Sequence, residues 1–293
     1  MTNIQTCLVE STRWLEKAGI GTARLDVLVL LEYTLDVDRA WLLAHGETPI
    51  EPQKLLKLKK LLKRRARHEP LSYVRGKTEF YGREFVLTPA VLEPRPESET
   101  MIELFRALPL FAGAQAPIGS SGTKSRSAVH VADVGTGSGA LGITASLEVP
   151  KVTVDLLDID REALQVAKTN VDKFTLSLSI VESDLLAGTN GGYDVLLCNL
   201  PYVPDDYQIN TAAMHEPKLA IFGGPDGLDL YRKLFRQVSK QSKQPLYILT
   251  EALPPQHAAL EQIASKAGYE LYENNDFIQV FKCIQKSVSD SLK

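Results

Sequence analysis

The fold is decided by the stretch 131-VADVGTGSG-139, in which a strand-like segment runs into three glycines at alternate positions. The residues before the glycines are typical of a buried β-strand, and the apolar stretch GALGITASL that begins at Gly139 is typical of a helix. Glycines at such a turn permit positive φ angles and let a ligand approach the backbone, while the amides of a helix N-terminus favour polar or anionic groups. A tight strand-to-helix turn without a ligand remains an alternative at this point.

The same strand–turn–helix pattern continues toward the C-terminus. A strand-like stretch at 151–160 is followed by a helical one at 161–171. Further strands are predicted near 177–182, 194–198, 245–250, 269–273 and 277–283. Continuous apolar strands that alternate with helices predict an α/β fold with a doubly wound parallel sheet.

The N-terminal part has a different character. Residues 1–72 are rich in Leu, Ala, Lys and Glu at helical spacing and predict a small helical domain. Residues 73–95 predict a hairpin linker, with the hairpin over 78–87, and residues 96–286 the α/β domain. Within that domain 112–128 reads as a flexible excursion, and 287–293 as a polar tail.

Composition limits the function classes. The 293 residues are 44% hydrophobic and 24% charged, which excludes disordered and fibrous classes. No run approaches the roughly 18 to 20 apolar residues that span a bilayer, and the N-terminus lacks a secretory pattern, so we expect a cytoplasmic protein without membrane attachment. Three distant cysteines and five histidines without ligand spacing predict no metal site.

Charge gives little support for a nucleic-acid partner. The formal net charge of −3 argues against stable binding to a long polyanion. The basic run at 54–67 fits a solvated helix face, with contact to an acidic partner, RNA or a membrane surface as the alternative.

Acidic residues after the strands predict the ligand. Asp158 ends the second strand, where its carboxylate could accept both hydroxyls of a ribose. The GxGxG spacing differs from the dinucleotide GxGxxG pattern, and Asp133 could meet an amino group of a bound amino-acid moiety, so S-adenosylmethionine is favoured over NAD. Asp184 could accept from an adenine amino group, with Leu185 packed on the ring. The alternatives are that Asp158 is a solvated carboxylate at the end of a strand and that Asp184 only starts a turn.

A second motif follows the strand at 194–198. Asn199, Leu200, Pro201 and Tyr202 should face the same crevice as the glycine turn, because both lie at the carboxyl ends of strands. A planar amino group has a delocalised lone pair, and the Asn199 side-chain oxygen and the Leu200 carbonyl could accept its two N–H groups. Pro201 would stiffen the turn, and Tyr202 would stack on the planar acceptor. Arg95, between two prolines, either lines the mouth of this crevice or is a surface residue.

These motifs carry a family resemblance. Asn-x-Pro-Tyr downstream of Asp-x-Gly-Thr-Gly-Ser-Gly resembles amino-group methyltransferases that act on adenine, cytosine or glutamine. The flanking stretches GKTEFYGREFVLTPAVLEPRPESE (76–99) and HEPKLAIFGGPDGLDLYRKL (215–234) are similar to release-factor glutamine methyltransferases of the HemK or PrmC type. The resemblance is strong over about residues 71–234 and weaker at both ends.

The resemblance implies an S-adenosylmethionine-dependent enzyme with a Rossmann-like seven-stranded sheet. It implies that the enzyme methylates the glutamine side-chain amide of the Gly-Gly-Gln motif in peptide-chain release factors, and that the helical domain helps to hold the release factor. We expect it to act as a monomer. The residues expected to bind the cofactor are Gly135, Thr136, Gly137, Ser138, Gly139, Asp158, Asp184, Leu185 and Asn199. Those expected to bind substrate are Asn199, Leu200, Pro201, Tyr202 and Arg95, with Asn199, Pro201 and Tyr202 catalytic.

The sequence also departs from the family pattern. Leu200 replaces the first proline of the usual Asn-Pro-Pro-Tyr, Leu185 stands where an aromatic residue is frequent, and Glu93 replaces an apolar residue. Asn-Leu-Pro-Tyr resembles methyltransferases acting on adenine in ribosomal RNA. The alternatives are therefore methylation of a ribosomal-protein glutamine or of adenine in RNA or DNA, and a non-catalytic S-adenosylmethionine-binding protein.

Overall fold

A computed structural model of the chain describes residues 2–111, 128–209 and 213–284. The chain divides into two compact units, residues 1–78 with 209–215, and residues 79–208 with 216–293. Of the predicted excursion only its last residue is described, and the predicted polar tail lies outside the described residues.

The first unit is helical, as predicted. Its helices are α1 (Ile4–Lys17), α2 (Ala23–Leu35), α3 (Arg39–Ala44), α4 (Pro52–Arg65) and α5 (Leu71–Arg75). The Asn3 side chain caps α1 by accepting from the Thr6 amide, and Pro52 occupies the first turn of α4. α5 extends three residues past the expected domain boundary at residue 72 and ends at Gly76, whose φ of +73° stops the helix.

Leucine-rich faces of these helices build a separate core. Leu15, Leu30 and Leu58 are fully buried in it. The part-buried Arg65 guanidinium donates to Asp26 at 2.6 Å, which pairs the buried Asp26 carboxylate of α2 with α4. The unit therefore has the apolar interior of an independent domain.

The predicted hairpin is present as β1 (Lys77–Phe80) and β2 (Arg83–Val86). Tyr81 and Gly82 both have positive φ angles, +51° and +68°, as a two-residue type I′ turn requires.

In the part of the chain that the structure describes, the second unit contains a seven-stranded sheet and five further α-helices. The strands are β3 (Val129–Val134), β4 (Val152–Asp158), β5 (Ser179–Glu182), β6 (Val195–Cys198), β7 (Tyr247–Glu251), β8 (Tyr269–Asn275) and β9 (Ile278–Cys283). The helices are α6 (Glu99–Ala107), α7 (Ala140–Glu148), α8 (Arg161–Lys173), α9 (Asp229–Val238) and α10 (His257–Lys266).

The strand order is β5-β4-β3-β6-β7-β9-β8, with the first five strands parallel. β9 is antiparallel to both neighbours. Its pairing with β8 is a hairpin, as the short turn between these two strands requires. The predicted parallel sheet therefore ends in an antiparallel pair. The Rossmann-like seven-stranded fold is confirmed.

Apolar layers cover both faces of the sheet. Val131, Leu156 and Leu197 belong to one fully buried cluster, and Val134 and Leu196 to the other. In the described parts of the chain no helix is long and apolar enough to cross a membrane.

The topology brings the predicted motifs to one edge. The chain leaves β3 toward β4 on one side and returns to β6 on the other, so a crevice opens at their carboxyl ends. Val134 pairs with Leu157 and with Cys198. The residues that follow, Gly135, Asp158 and Asn199, therefore start from the same level of the sheet.

Candidate active site

A cavity of about 290 Å³ occupies this edge of the second unit. Most of the predicted site residues line it, namely Gly135, Thr136, Gly137, Ser138, Asp158, Asp184, Leu185, Asn199, Leu200 and Pro201. Gly139, Tyr202 and Arg95 are not among its lining residues.

The glycine loop forms the floor of the cavity. Gly135, Gly137 and Gly139 have φ angles of +72°, +54° and +83°, which L-residues with side chains rarely adopt. The Gly135 and Thr136 amides donate to the Leu157 carbonyl at 2.8 and 2.9 Å, which ties the loop to β4. A Cβ at Gly137 would meet no atom within 4 Å, so the backbone is uncovered there. Gly139 instead faces the Ile143 side chain and lets α7 pack closely.

Asp133 supports this loop from beneath. Its Oδ2 accepts from the Thr136 hydroxyl at 2.6 Å and from the Gly142 amide at 2.8 Å. The residue is 1% exposed, and burial raises the pKa of its carboxyl to about 6. Through these two hydrogen bonds the Asp133 carboxylate joins the loop to α7. Asp133 is not among the residues that line the cavity, and its contact with a ligand amino group stays a prediction.

Asp158 lines the cavity beside the loop. Its Oδ2 accepts from the Gly137 amide and its Oδ1 from the Asp160 amide, each at 2.9 Å. A carboxylate has about four lone-pair sites, so the group keeps acceptor capacity for ligand hydroxyls. Burial raises the pKa of this carboxyl. Two adjacent acceptors held in this way fit the paired hydroxyls of a ribose.

The far end of the cavity combines a charged pair with an apolar surface. The Asp184 carboxylate pairs with Lys233 Nζ at 2.5 Å, and both residues line the cavity. Leu185 has a φ of +55°, and its carbonyl accepts from the Ser183 hydroxyl at 2.7 Å. Lys233 was not predicted, because nothing in the spacing of residues 49 positions apart indicates that they meet.

Asn199 is held by its nitrogen. Its Nδ2 donates to Ser98 Oγ at 2.9 Å, and Ser98 Oγ donates to Glu251 Oε2 at 2.6 Å. From the residues that the structure describes, neither the Asn199 Oδ1 nor the Leu200 carbonyl accepts a hydrogen bond. These two acceptors therefore remain available to a ligand in the cavity.

Tyr202 is tied to the same carboxylate. Its hydroxyl donates to Glu251 Oε1 at 3.0 Å, and its carbonyl accepts from Gln256 Nε2 at 2.7 Å. A Cβ at Gly227 would collide with that carbonyl, and one at Gly223 with the carbonyl of Pro201. The glycines of 223-GGPDG-227 thus allow a second loop to pack on the turn at 199–202.

Arg95 is not among the residues that line the cavity, and it pairs with Glu216. Its Nη2 contacts both carboxylate oxygens of Glu216, at 2.7 and 2.6 Å. Burial raises the pKa of Glu216, and the Arg95 charge opposes that shift. The pair fixes the loop that leads to Pro217 and Leu219, which do line the cavity.

Within the described ranges no three His, Cys, Asp or Glu side chains are grouped so as to hold an ion. The polar groups of the cavity are those of an organic ligand site, with four carboxylate residues, one ammonium, uncovered loop backbone and apolar surface.

Two family models match the chain. The PrmC N-terminal domain matches residues 6–76, and the methyltransferase small domain matches residues 121–216.

Curated relatives match over most of the chain. A release factor glutamine methyltransferase of Koribacter versatilis is 35% identical, with 81% of each chain covered. One of Bacillus subtilis is 31% identical, with 91% of each covered. One of Deinococcus radiodurans is 30% identical, over 91% of this chain and 92% of the relative. Among solved structures, the hMettl16 catalytic domain in complex with the MAT2A 3′UTR hairpin 6 has a TM-score of 0.51 at 13% identity, covering 81% of this chain and 84% of that one. It shares the fold.

Proposed function

The chain belongs to the family of release factor glutamine methyltransferases, and from this premise we propose that it methylates the glutamine side-chain amide of the Gly-Gly-Gln motif in peptide-chain release factors. The observation that carries the proposal is the pair of free acceptors, Asn199 Oδ1 and the Leu200 carbonyl, beside the glycine loop. We place the reaction in the cytoplasm, with a monomeric enzyme and no bound nucleic acid.

S-adenosylmethionine is the cofactor of this class of enzyme, and it supplies an electrophilic methyl group on a sulfonium sulfur. In our proposal the Asp158 carboxylate accepts the ribose hydroxyls, and the uncovered backbone at Gly137 allows close approach. Leu185 gives the adenine an apolar surface, and Asp184 an acceptor for its amino group.

The turn at 199–202 compensates for the weak nucleophilicity of the substrate amide nitrogen. An amide nitrogen shares its lone pair with the carbonyl, so it attacks only when it is well placed. Asn199 Oδ1 and the Leu200 carbonyl accept the two N–H groups of the glutamine amide and fix its plane. Pro201 limits the backbone freedom of the turn. No base of shifted pKa has to act first, because the proton can leave after the methyl transfer.

Leu200 is compatible with this role. Its backbone carbonyl is available whatever the side chain, and its side chain is 2% exposed. A Cβ at Gly135 would lie 3.0 Å from Leu200 Cδ2, so the leucine packs directly on the glycine loop. The leucine thus couples the acceptor turn to the cofactor loop through packing.

The direct test is methyl transfer to a purified release factor. We expect peptide mass spectrometry to find the mass of one added methylene on the Gly-Gly-Gln glutamine after incubation with S-adenosylmethionine. Transfer to a ribosomal protein or to RNA, with an unmodified release factor, would contradict the proposal and favour those acceptors.

Asn199→Ala tests the clamp. Removal of one amide acceptor should lower turnover at saturating S-adenosylmethionine by roughly 5- to 150-fold, the equivalent of about 1 to 3 kcal/mol. Asp158→Ala is the contrasting variant, because it should weaken S-adenosylmethionine affinity by a similar factor in a titration. Unchanged turnover of Asn199→Ala would exclude the clamp.

A further inference from the structure

We propose that Glu251 is a positioning residue that sets, through Ser98, which end of the Asn199 amide faces the substrate. The inference rests on the proposed function and extends it, since neither Glu251 nor Ser98 belongs to the motif at 199–202. Glu251 ends β7, the strand beside β6, and its side chain lies behind the acceptor turn.

The direction of the hydrogen bonds carries the argument. A serine hydroxyl has one proton, and Ser98 donates it to Glu251 Oε2 at 2.6 Å. Ser98 Oγ can then only accept from Asn199, so the Asn199 NH₂ group turns toward it, at 2.9 Å. The Asn199 oxygen is left pointing away from Ser98, as an acceptor. A flipped amide would present N–H to the N–H of the substrate.

In its ionised form, the Glu251 carboxylate makes this chain of hydrogen bonds one-directional. Carboxylate oxygens accept and cannot donate, so the Ser98 proton has no alternative partner on Glu251. The other oxygen, Oε1, accepts from the Tyr202 hydroxyl at 3.0 Å. One side chain therefore anchors residues at both ends of the acceptor turn.

The burial of the Glu251 carboxylate is energetically unfavourable and therefore calls for a functional explanation. The residue is 1% exposed, and no cation pairs with it among the residues described. Burial raises the pKa of its carboxyl, while the hydrogen bonds that Ser98 and Tyr202 donate to it oppose that rise. A buried carboxylate held by neutral donors costs stability, and such a cost is typical of functional sites.

Glu251→Gln tests the direction while it keeps the shape. The glutamine amide can donate to Ser98, which frees the Ser98 proton to point at Asn199 and permits the flip. We expect kcat for release-factor methylation to fall about 10-fold, while KM changes less and the S-adenosylmethionine affinity stays within about twofold. Thr250→Val is the matched control on the same strand, because it removes a buried hydroxyl that donates to the Gln279 carbonyl, away from the acceptor turn. It should leave kcat unchanged.

A double-mutant cycle separates positioning from general damage. If Glu251 acts through Asn199, Glu251→Gln should cost at most about twofold in kcat in an Asn199→Ala background. The same 10-fold cost in both backgrounds, or an unchanged kcat in the single variant, would overturn the inference. If Glu251→Gln does not fold, Ser98→Ala provides the same cycle. Wild-type enzyme without release-factor methylation would refute the proposed function itself, a result distinct from any of these.

Discussion

The carboxyl of Asp133 gives the glycine loop a pH dependence. Its folded-state pKa of about 6 lies above the 3.8 of an ordinary aspartate, because burial favours the neutral form. A raised pKa means that the folded state binds the proton more tightly than the unfolded state does. Its contribution to stability is therefore complete below about pH 4 and is lost as the pH rises through 6.

Asp133→Asn removes this titration and keeps an acceptor for Thr136 and Gly142. Relative to the wild type, the unfolding free energy of the variant should rise by roughly 2 to 3 kcal/mol between pH 4 and pH 7, as measured by urea unfolding at each pH. Asp205→Asn, at an exposed loop position of the same unit, is the control for the loss of one negative charge. Parallel profiles for Asp133→Asn and wild type would contradict the assignment.

At the scale of elements, α7 approaches β3 and β4 only because its first turn contains Gly142. A Cβ there would collide with the Leu156 side chain and lie 2.9 Å from Asp133. The Gly142 amide also donates to the Asp133 carboxylate. Gly142 therefore contributes both to the packing of α7 and to the support of the glycine loop.

Gly142→Ala should accordingly destabilise the second unit by about 1 to 3 kcal/mol through overpacking, and weaken S-adenosylmethionine binding by displacing the loop. Thermal unfolding and a cofactor titration measure the two effects. Gly21→Ala is the control, because a Cβ at Gly21 meets nothing within 4 Å. A Gly142→Ala protein with wild-type stability would show that α7 can shift without cost.

The strands of this molecule and the residues at their carboxyl ends could be predicted from the sequence. Apolar runs located all seven strands of the sheet, and the strand-end rule placed Gly137, Asp158 and Asn199 around one cavity. Periodicity reports which face of an element is buried but not which distant side chains meet there. Ser98 and Glu251 are 153 positions apart, and their contact depends on how α6 and β7 pack. The hydrogen bond between Asp133 and Gly142 was not predicted for the same reason, since Gly142 lies on the next helix.

At the scale of the whole molecule, the two units have separate cores, and the cavity belongs to the second unit. All residues that line the cavity belong to the second unit, and the Leu-rich core of α1, α2 and α4 belongs to the first. Cofactor binding should therefore tolerate damage to the first core, whereas capture of a release factor, which we assign in part to the helical unit, should not.

Leu58→Ala tests this division. Leu58 is fully buried in α4, and its truncation should cost the first unit about 2 to 5 kcal/mol through the lost burial and the resulting cavity. S-adenosylmethionine affinity in a titration should stay within about twofold of wild type, while KM for the release factor rises. Leu56→Ala on the same helix, where the side chain is 58% exposed, is the matched control for stability. A parallel loss of cofactor affinity in Leu58→Ala would contradict this division. It would show that the cavity, as well as substrate capture, depends on the stability of the helical unit.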